Sequence, residues 1–297
     1  MSVEQAFFKS ALWNTFKAYI PVRLRRTLSG GLLKIKRWRE SLDWIKRSPR
    51  YIQNWPAAFF WEVVLPKDHY LKYILRHAPS RSSTIRHLQL TIRAKSYDKF
   101  IVQEICTGAY DIALKDLPTT PTVIDAGAHI GVFSTEVIRK FPSARLVCIE
   151  PMPENIILLK KNIKDNYDSS KVVIVEGVLT NKSDDQRIYN RKDHSAGFNL
   201  YMPTENSESV RSYTLEKILA DNNIEHCDLL KLDIEGSEYE VLFGAQKHIL
   251  ARVQRIVMEY HPFPKEMADK DKLARFLNAQ GFVTTFYAKK LMYAERK

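Results

Sequence analysis

Cysteine is scarce in this chain of 297 residues, and the three cysteines do not form a metal or redox pattern. Cys106, Cys148 and Cys227 include no Cys-x-x-Cys pair, and their odd number does not suit a complete set of disulfides. The sequence therefore argues against a disulfide-stabilised secreted domain. It predicts a protein of the reducing cytoplasm.

Long apolar segments are also missing. No run approaches the roughly 20 residues that a membrane-spanning helix needs, and the first residues lack the apolar stretch and cleavage site of a signal peptide. We therefore expect a soluble or peripheral protein. Hydrophobic residues make up 45% of the chain, which is ample for a buried core, and the length exceeds that of a typical single domain.

Positive charge is concentrated near the N-terminus. Residues 1–100 contain 20 Lys and Arg against 6 Asp and Glu, whereas the whole chain has a net charge of +12. Basic side chains interleaved with aromatic anchors suit an anionic membrane surface, here the inner membrane face. The same composition suits nucleic acid or a solvated helical face. The densest basic group is Arg23, Arg25, Arg26, Lys34, Lys36, Arg37 and Arg39, and the tryptophans among it and after it are Trp38, Trp44, Trp55 and Trp61.

The membrane hypothesis predicts that the chain sediments with anionic vesicles, does not sediment with neutral vesicles, and is released by salt. Each basic residue near such a surface contributes about 1 kcal/mol. Deleting residues 1–80 should abolish vesicle binding and leave the function of residues 81–297 intact. Absence of vesicle binding at low salt would contradict the hypothesis, and a tight gel shift with RNA would favour the nucleic-acid alternative.

Turn-forming residues and hydrophobic periodicity divide the chain into an N-terminal extension, residues 1–80, and a larger domain, residues 81–297. Helices are predicted at 3–20 and 32–47, and the Ser- and Pro-containing segment 78–83 is interpreted as a linker. Residues 85–95 alternate apolar and polar like a half-buried strand, with which residues 100–105 could pair.

The larger domain shows a regular alternation of strands and helices. This rhythm predicts a doubly wound, mostly parallel sheet covered on both faces. The predicted strands are 122–125, 145–150, 172–176, 228–234 and 255–260, and the predicted helices are 131–141, 154–166, 214–222, 238–249 and 270–279.

A glycine-containing loop follows the first of these strands. Residues 123–131 read Val-Ile-Asp-Ala-Gly-Ala-His-Ile-Gly, and glycine lets the chain reverse tightly and approach a ligand. The dinucleotide fingerprint would require glycine at Asp125 and at Ile130, so it fits badly. A carboxylate suits a cationic ligand such as S-adenosylmethionine, whereas it would repel a pyrophosphate.

The second strand ends in Glu150, 25 positions after Asp125, and Pro151 and Met152 follow it. An acid at this place can bind ribose hydroxyls. Met152 is well placed to cover one face of an adenine, although a loop methionine is otherwise a gap filler.

A third segment, 228–238, has the pattern of a buried strand followed by three acidic residues. Together these segments closely resemble the FkbM-type methyltransferases over roughly residues 97–261. The resemblance rests on residues 123–131, 149–155, 230–238 and 256–261, which stand in family-like order and spacing.

The resemblance implies a class I methyltransferase fold with seven strands, closed by a hairpin at 281–287 and 291–294. It implies S-adenosylmethionine as cofactor and methylation of a hydroxyl oxygen on a sugar, a glycolipid or a secondary metabolite. Two departures are His129, where the family usually has Asn, and the long basic region before residue 80. The implied cofactor-binding residues are Asp125, Gly127, Ala128, His129, Gly131, Glu150, Pro151, Met152, Asn155 and Gly177.

Methyl transfer to an alcohol needs positioning and a base, because an alcohol has a pKa far above 7. The candidate catalytic residues are Asp233, Glu235, Glu259 and His261, with Glu238 as a further acid that could instead complement a helix N-terminus. These oxygens and the imidazole could also hold a divalent cation. Nothing in the spacing establishes a cation, so no metal ligand is assigned.

Residues 178–212 form a polar, turn-rich insertion between the third strand and the next helix. Ligands of open α/β sheets gather beyond the carboxyl ends of the strands. The insertion could therefore form a wall of an acceptor pocket, with 193–199 as its functional stretch, or it could be an ordinary surface excursion.

Three other functions remain open at this point. An RNA methyltransferase would account for the basic N-terminus, but the chain has no Pro-Pro pair and hence no Asp/Asn-Pro-Pro-aromatic motif. An NAD-dependent oxidoreductase is opposed by the misfit of the glycine loop. A non-catalytic membrane- or partner-binding module is opposed by the acids at 233–238.

Overall fold

The computed structural model describes residues 70–74, 89–93, 96–190, 198–201, 203, 205, 207–262, 268–287 and 290–297, with the main chain alone for 70–74, 190, 198 and 199. The predicted helices 3–20 and 32–47 and the basic aromatic segment lie outside these residues. Within the described part of the chain, no helix has the length and apolar character needed to cross a membrane.

The described strands, in chain order, are β1 (Tyr70–Ile74), β2 (Gln89–Arg93), β3 (Thr122–Ala126), β4 (Arg145–Glu150), β5 (Val172–Glu176), β6 (Val178–Leu179), β7 (Gln186–Asn190), β8 (Phe198–Asn199), β9 (Ser207–Val210), β10 (Ser212–Tyr213), β11 (Leu229–Leu232), β12 (Arg255–Glu259), β13 (Phe282–Tyr287) and β14 (Leu291–Arg296). The helices are α1 (Asp98–Cys106), α2 (Asp111–Leu114), α3 (Val132–Lys140), α4 (Pro153–Asn166), α5 (Leu215–Asp221), α6 (Glu238–Gly244), α7 (Lys247–Leu250) and α8 (Lys270–Ala279).

A seven-stranded sheet with the order β13-β14-β12-β11-β3-β4-β5 forms the centre of the catalytic domain. Strands β12, β11, β3, β4 and β5 pair in parallel, and β14 is antiparallel to both of its neighbours. The predicted mostly parallel α/β sheet and its closing hairpin are confirmed. The order also places the ends of β12, β11, β3 and β4 side by side at one edge.

Side-chain alternation gives the two faces of the sheet different contents. One face contributes Ile124, Val147 and Leu230 to an apolar core that includes residues of α5 to α8. On the other face Lys231, Asp125 and Cys148 are paired in register across β11, β3 and β4. A polar row therefore crosses the middle of an otherwise apolar sheet.

Two predicted elements differ from the structure. Residues 100–105 were expected as a strand, but they belong to helix α1, and β2 pairs antiparallel with β1 instead. Val102 and Ile105 are both buried, a spacing of three that suits a helix face, and Asp98 in the first turn complements the helix N-terminus. The predicted helix 238–249 is divided into α6 and α7 because Ala245 and Gln246 are extended.

The pairing of β1 with β2 brings together segments on both sides of the predicted boundary near residue 80, and that boundary stays a prediction. The insertion contains β-structure that its polar sequence did not reveal. Strands β8, β7 and β9 form a small antiparallel sheet, and β6 pairs with β10. Most of the predicted functional stretch 193–199 lies outside the described residues.

Candidate active site

The glycine loop after β3 packs directly on the end of β11. Gly127 has a φ of 77°, and a Cβ built on it would lie 1.8 Å from the carbonyl oxygen of Asp233. Glycine is thus required for close approach to the chain's own backbone, and not only for approach to a ligand as predicted. The cofactor loop and the acidic segment after β11 are in contact.

His129 adopts the left-handed conformation, with a φ of 52°. Asn and His enter this region more readily than most residues. The replacement of the family's usual Asn by His129 therefore retains a residue that tolerates this backbone. The His129 N–H donates to the Glu150 carboxylate at 2.9 Å, which ties the loop to the end of β4.

Glu150 is 4% exposed and accepts two further hydrogen bonds, from the Met152 N–H at 3.1 Å and from Asn155 Nδ2 at 2.9 Å. Burial raises the pKa of Glu150, and the three hydrogen bonds oppose this rise. A carboxylate has about four acceptor sites, so roughly one is left for a ligand hydroxyl. The contact of Glu150 with ribose stays a prediction. The structure adds a second role for Glu150, because its hydrogen bonds hold the loop in shape.

The other predicted cofactor residues surround Glu150. The Gly177 N–H donates to the Glu150 carbonyl at 3.1 Å, and Pro151 lines a cavity of about 700 Å³ with Val175 and Glu176. Met152 is 1% exposed, so its side chain is packed in the interior. Its predicted contact with adenine is untested. Ala128 and Asn155 are also buried, and Gly131 is the N-cap of α3.

Lys231 was missed by the sequence reasoning. Its ammonium lies 3.2 Å from Asp125 and 3.6 Å from Asp233, and it donates to the Gly127 carbonyl at 3.1 Å. Asp125 also accepts a hydrogen bond from Ser134 Oγ at 2.6 Å. Asp125 thus lies beneath the loop with its charge paired, which reduces the direct attraction of a cationic ligand that the sequence suggested. A lysine within the apolar run Leu229–Leu232 was the available signal.

A second cluster lies after β11 and β12. Glu238 is fully buried and accepts the N–H groups of Ile234 and Gly236, each at 3.0 Å. The same carboxylate lies 2.9 Å from His261 Nδ1. Glu238 therefore positions both the acidic loop and the imidazole, and it does more than complement the N-terminus of α6.

The imidazole is surrounded by carboxylates. His261 Nε2 lies 3.7 Å from Glu235 and 3.8 Å from Glu259, and the Lys290 ammonium lies 3.5 Å from Glu259. Asp233, Glu259 and His261 each offer a ligand atom, and these atoms lie within 4.8 Å of one another. All four predicted catalytic residues are thus brought together.

Burial and mutual repulsion change the protonation of this cluster. Burial, with Asp233, Glu238 and Glu259 nearby, raises the pKa of Glu235 to about 7 against the opposing effect of His261. Burial alone would lower the pKa of His261, but the hydrogen bond to Glu238 and the nearby carboxylates raise it to about 9. A protonated imidazole cannot accept a proton, so at neutral pH the carboxylates are the better bases.

Glu104 was also missed. Partial removal of water together with the charges of Glu259 and Asp233 raises its pKa to about 7. Burial and the charges of Asp233, Glu104 and Glu259 raise the pKa of Tyr110. Both residues precede the first parallel strand, and no motif marks them in the sequence.

The insertion reaches the acidic segment through Tyr201. Its hydroxyl donates to Ser237 Oγ at 3.4 Å, and Ser237 directly precedes helix α6. Such a contact is expected if the insertion lies beside the acidic loop that follows β11. The acceptor-wall role stays a prediction.

The family model described as the methyltransferase FkbM domain matches residues 125–284, from the glycine loop to the closing hairpin. The chain belongs to this family. The FkbM match includes both the loop with its Glu150 anchor and the acid–histidine cluster. The expected methyltransferase family is confirmed, and with it the general activity of a methyltransferase.

Two curated relatives are named as methyltransferases. Methyltransferase sdnD of Sordaria araneosa is 30% identical over 194 residues, which are 54% of this chain and 74% of that protein. Methyltransferase 1 of Beauveria bassiana is 25% identical over 198 residues, 56% of this chain and 74% of that protein. Among solved structures, the precorrin-6y C5,15-methyltransferase of Geobacter metallireducens is 14% identical with a TM-score of 0.39, covering 63% of this chain and 87% of that chain.

Proposed function

We propose that this chain is an S-adenosylmethionine-dependent O-methyltransferase that acts on a hydroxyl of a sugar, a glycolipid or a secondary metabolite. The observation that carries the proposal is the contact between Gly127 and the Asp233 carbonyl. It joins a loop suited to a nucleoside cofactor to a cluster of carboxylates suited to deprotonating an alcohol. Both lie at the carboxyl edge of the sheet, where ligands of this architecture bind.

The residues around the loop fit the cofactor. Glu150 retains about one acceptor site for a ribose hydroxyl. The carboxylates after β11 and at the end of β12 favour a cation nearby. When bound, S-adenosylmethionine supplies a methyl group from its positively charged sulfur, and the sulfur keeps the electron pair of the broken carbon–sulfur bond and becomes a neutral thioether.

The cluster of Asp233, Glu235, Glu259 and His261 would hold and deprotonate the acceptor. The acceptor oxygen forms its new bond to carbon and releases its proton to a carboxylate. The hydrogen bond between His261 and the buried Glu238 keeps the imidazole in place during this proton transfer. Positioning and proton transfer are the two tasks that the chain itself performs.

A direct test uses the full chain, S-adenosylmethionine with a labelled methyl group, and glycan, lipid, metabolite and RNA fractions from a strain that lacks the protein. Label should enter a glycan, glycolipid or metabolite, and mass spectrometry should show that the strain lacks one methyl group in the same compound. Labelling of RNA alone would overturn the acceptor class. Failure to bind the cofactor would overturn the proposal.

Cofactor binding gives a more specific prediction. Glu150→Ala should weaken S-adenosylmethionine binding by about 1.5–3 kcal/mol, because it removes charge-assisted hydrogen bonds to the loop and to the ribose. Calorimetry on the wild type and the variant measures this loss. Glu154→Ala, an exposed acid on the next helix, is the matched control and should bind normally. Binding of NAD, or an unchanged affinity in the Glu150 variant, would contradict the prediction.

A further inference from the structure

Three side chains at the ends of β11 and β12 present potential metal ligands to one another. One ligand atom from each of Asp233, Glu259 and His261 lies within 4.8 Å of the other two. Ligands held about 2.1 Å from a six-coordinate ion are about 3 to 4.2 Å apart. Small rotations of the two carboxylates would therefore bring all three atoms onto one ion.

The orientation of the imidazole distinguishes this group from a loose set of surface acids. Nδ1 of His261 is hydrogen-bonded to the buried Glu238, so Nε2 points toward Glu235 and Glu259. Metal-binding histidines commonly have their second nitrogen held by a carboxylate in this manner. Glu238 is itself fixed by two backbone N–H groups.

The charge balance also favours a cation at this position. Asp233, Glu235 and Glu259 bring three carboxylates to one place. The nearby ammonium of Lys231 is shared with Asp125, and that of Lys290 is half exposed. Like charges at such distances repel one another, and a divalent ion among them offsets this repulsion.

We propose that Asp233, Glu259 and His261 bind a divalent cation of the Mg²⁺ or Mn²⁺ type that holds the acceptor oxygen, with the ion taking the place of the proton on His261 Nε2. The two carboxylates suit Mg²⁺ and Mn²⁺. Three protein ligands leave positions for oxygen atoms of the acceptor, and two adjacent hydroxyls, as in a sugar, could fill two of them. The catalytic consequence rests on the proposed methyl transfer, whereas cation binding does not.

Cation binding is tested with Mn²⁺ alone, added to the full chain without cofactor or acceptor. Electron paramagnetic resonance of free Mn²⁺ should show uptake of one ion per chain. Asp233→Asn and Glu259→Gln should each weaken uptake about tenfold or more. Glu216→Gln, which changes an exposed acid on α5, is the control and should leave uptake unchanged.

Lys290→Ala gives a change of the opposite sign. Its ammonium lies 3.5 Å from Glu259, so it competes with a bound cation for this carboxylate. Because the side chain is 54% exposed, its removal should disturb the packing of its neighbours little. Uptake of Mn²⁺ should become about threefold to tenfold tighter. A general loss of fold cannot produce a gain, so the pair of opposite changes separates binding from stability.

A spectroscopic signature identifies the imidazole ligand. Bound Mn²⁺ should show coupling to one nitrogen nucleus, and His261→Gln should abolish this coupling. The proposal is overturned by absence of Mn²⁺ uptake at millimolar concentration, by equal uptake in all variants, or by absence of nitrogen coupling. Binding of S-adenosylmethionine to the wild-type chain is measured separately by calorimetry. If the chain takes up Mn²⁺ but does not bind S-adenosylmethionine, the proposed function is refuted and the cation site is not.

Discussion

Replacing Lys231 with methionine is expected to lower the free energy of unfolding by about 3–5 kcal/mol. Lys231 is 3% exposed and its partner Asp125 is fully buried. Methionine has a similar length and fills most of the space, so the main loss is the positive charge. Asp125 would keep its bond to Ser134 but would remain as a buried carboxylate without a cation.

Urea unfolding of the wild type and the variant measures this effect. The double variant Asp125→Asn with Lys231→Met should recover part of the loss, because it removes the unpaired charge. Lys217→Met breaks an exposed pair with Asp221 on α5 and should change stability by about 1 kcal/mol at most. A Lys231 variant within that same range would show that the buried pair is unimportant.

The second large effect concerns turnover. Asp233→Asn should lower the rate of methyl transfer by on the order of 10² or more, about 2.7 kcal/mol in activation free energy. The amide keeps the shape of the side chain and the backbone carbonyl that Gly127 contacts. It removes a negative charge that lies 3.6 Å from the Lys231 ammonium and close to Glu259 and His261.

Initial rates with the identified acceptor and calorimetry with S-adenosylmethionine should separate chemistry from binding. Turnover should fall while cofactor affinity changes little. Asp271→Asn, which changes an exposed acid in the first turn of α8, is the matched control and should retain full turnover. If the Asp233 variant transfers methyl groups at close to the normal rate, positioning alone would have to explain catalysis.

Most of the sheet was predictable because its strands are buried on both faces and therefore appear as short apolar runs. The run Leu229–Leu232 is an example, and each of its residues is buried. Helix α1 was missed because a short apolar segment such as 100–105 fits a strand as readily as a helix. The small sheet of the insertion was missed because its strands are short and polar.

The candidate site was predictable where residues follow strands. Asp233, Glu259 and His261 come directly after β11 or at the end of β12, and parallel strands bring such positions together. The partners of these residues were not predictable to the same degree. Glu104 reaches the cluster from a helix before the sheet, and the pairing of Lys231 with Asp125 depends on strand register, which the sequence does not give.

The contact between Gly127 and the Asp233 carbonyl constrains how this enzyme can be altered. No side chain can be added at position 127 without separating two segments that lie more than 100 positions apart in the chain. A chimera that receives the 125–131 loop from a relative should also receive that relative's 233–236 segment. The two segments form one exchangeable unit, although they are distant in sequence.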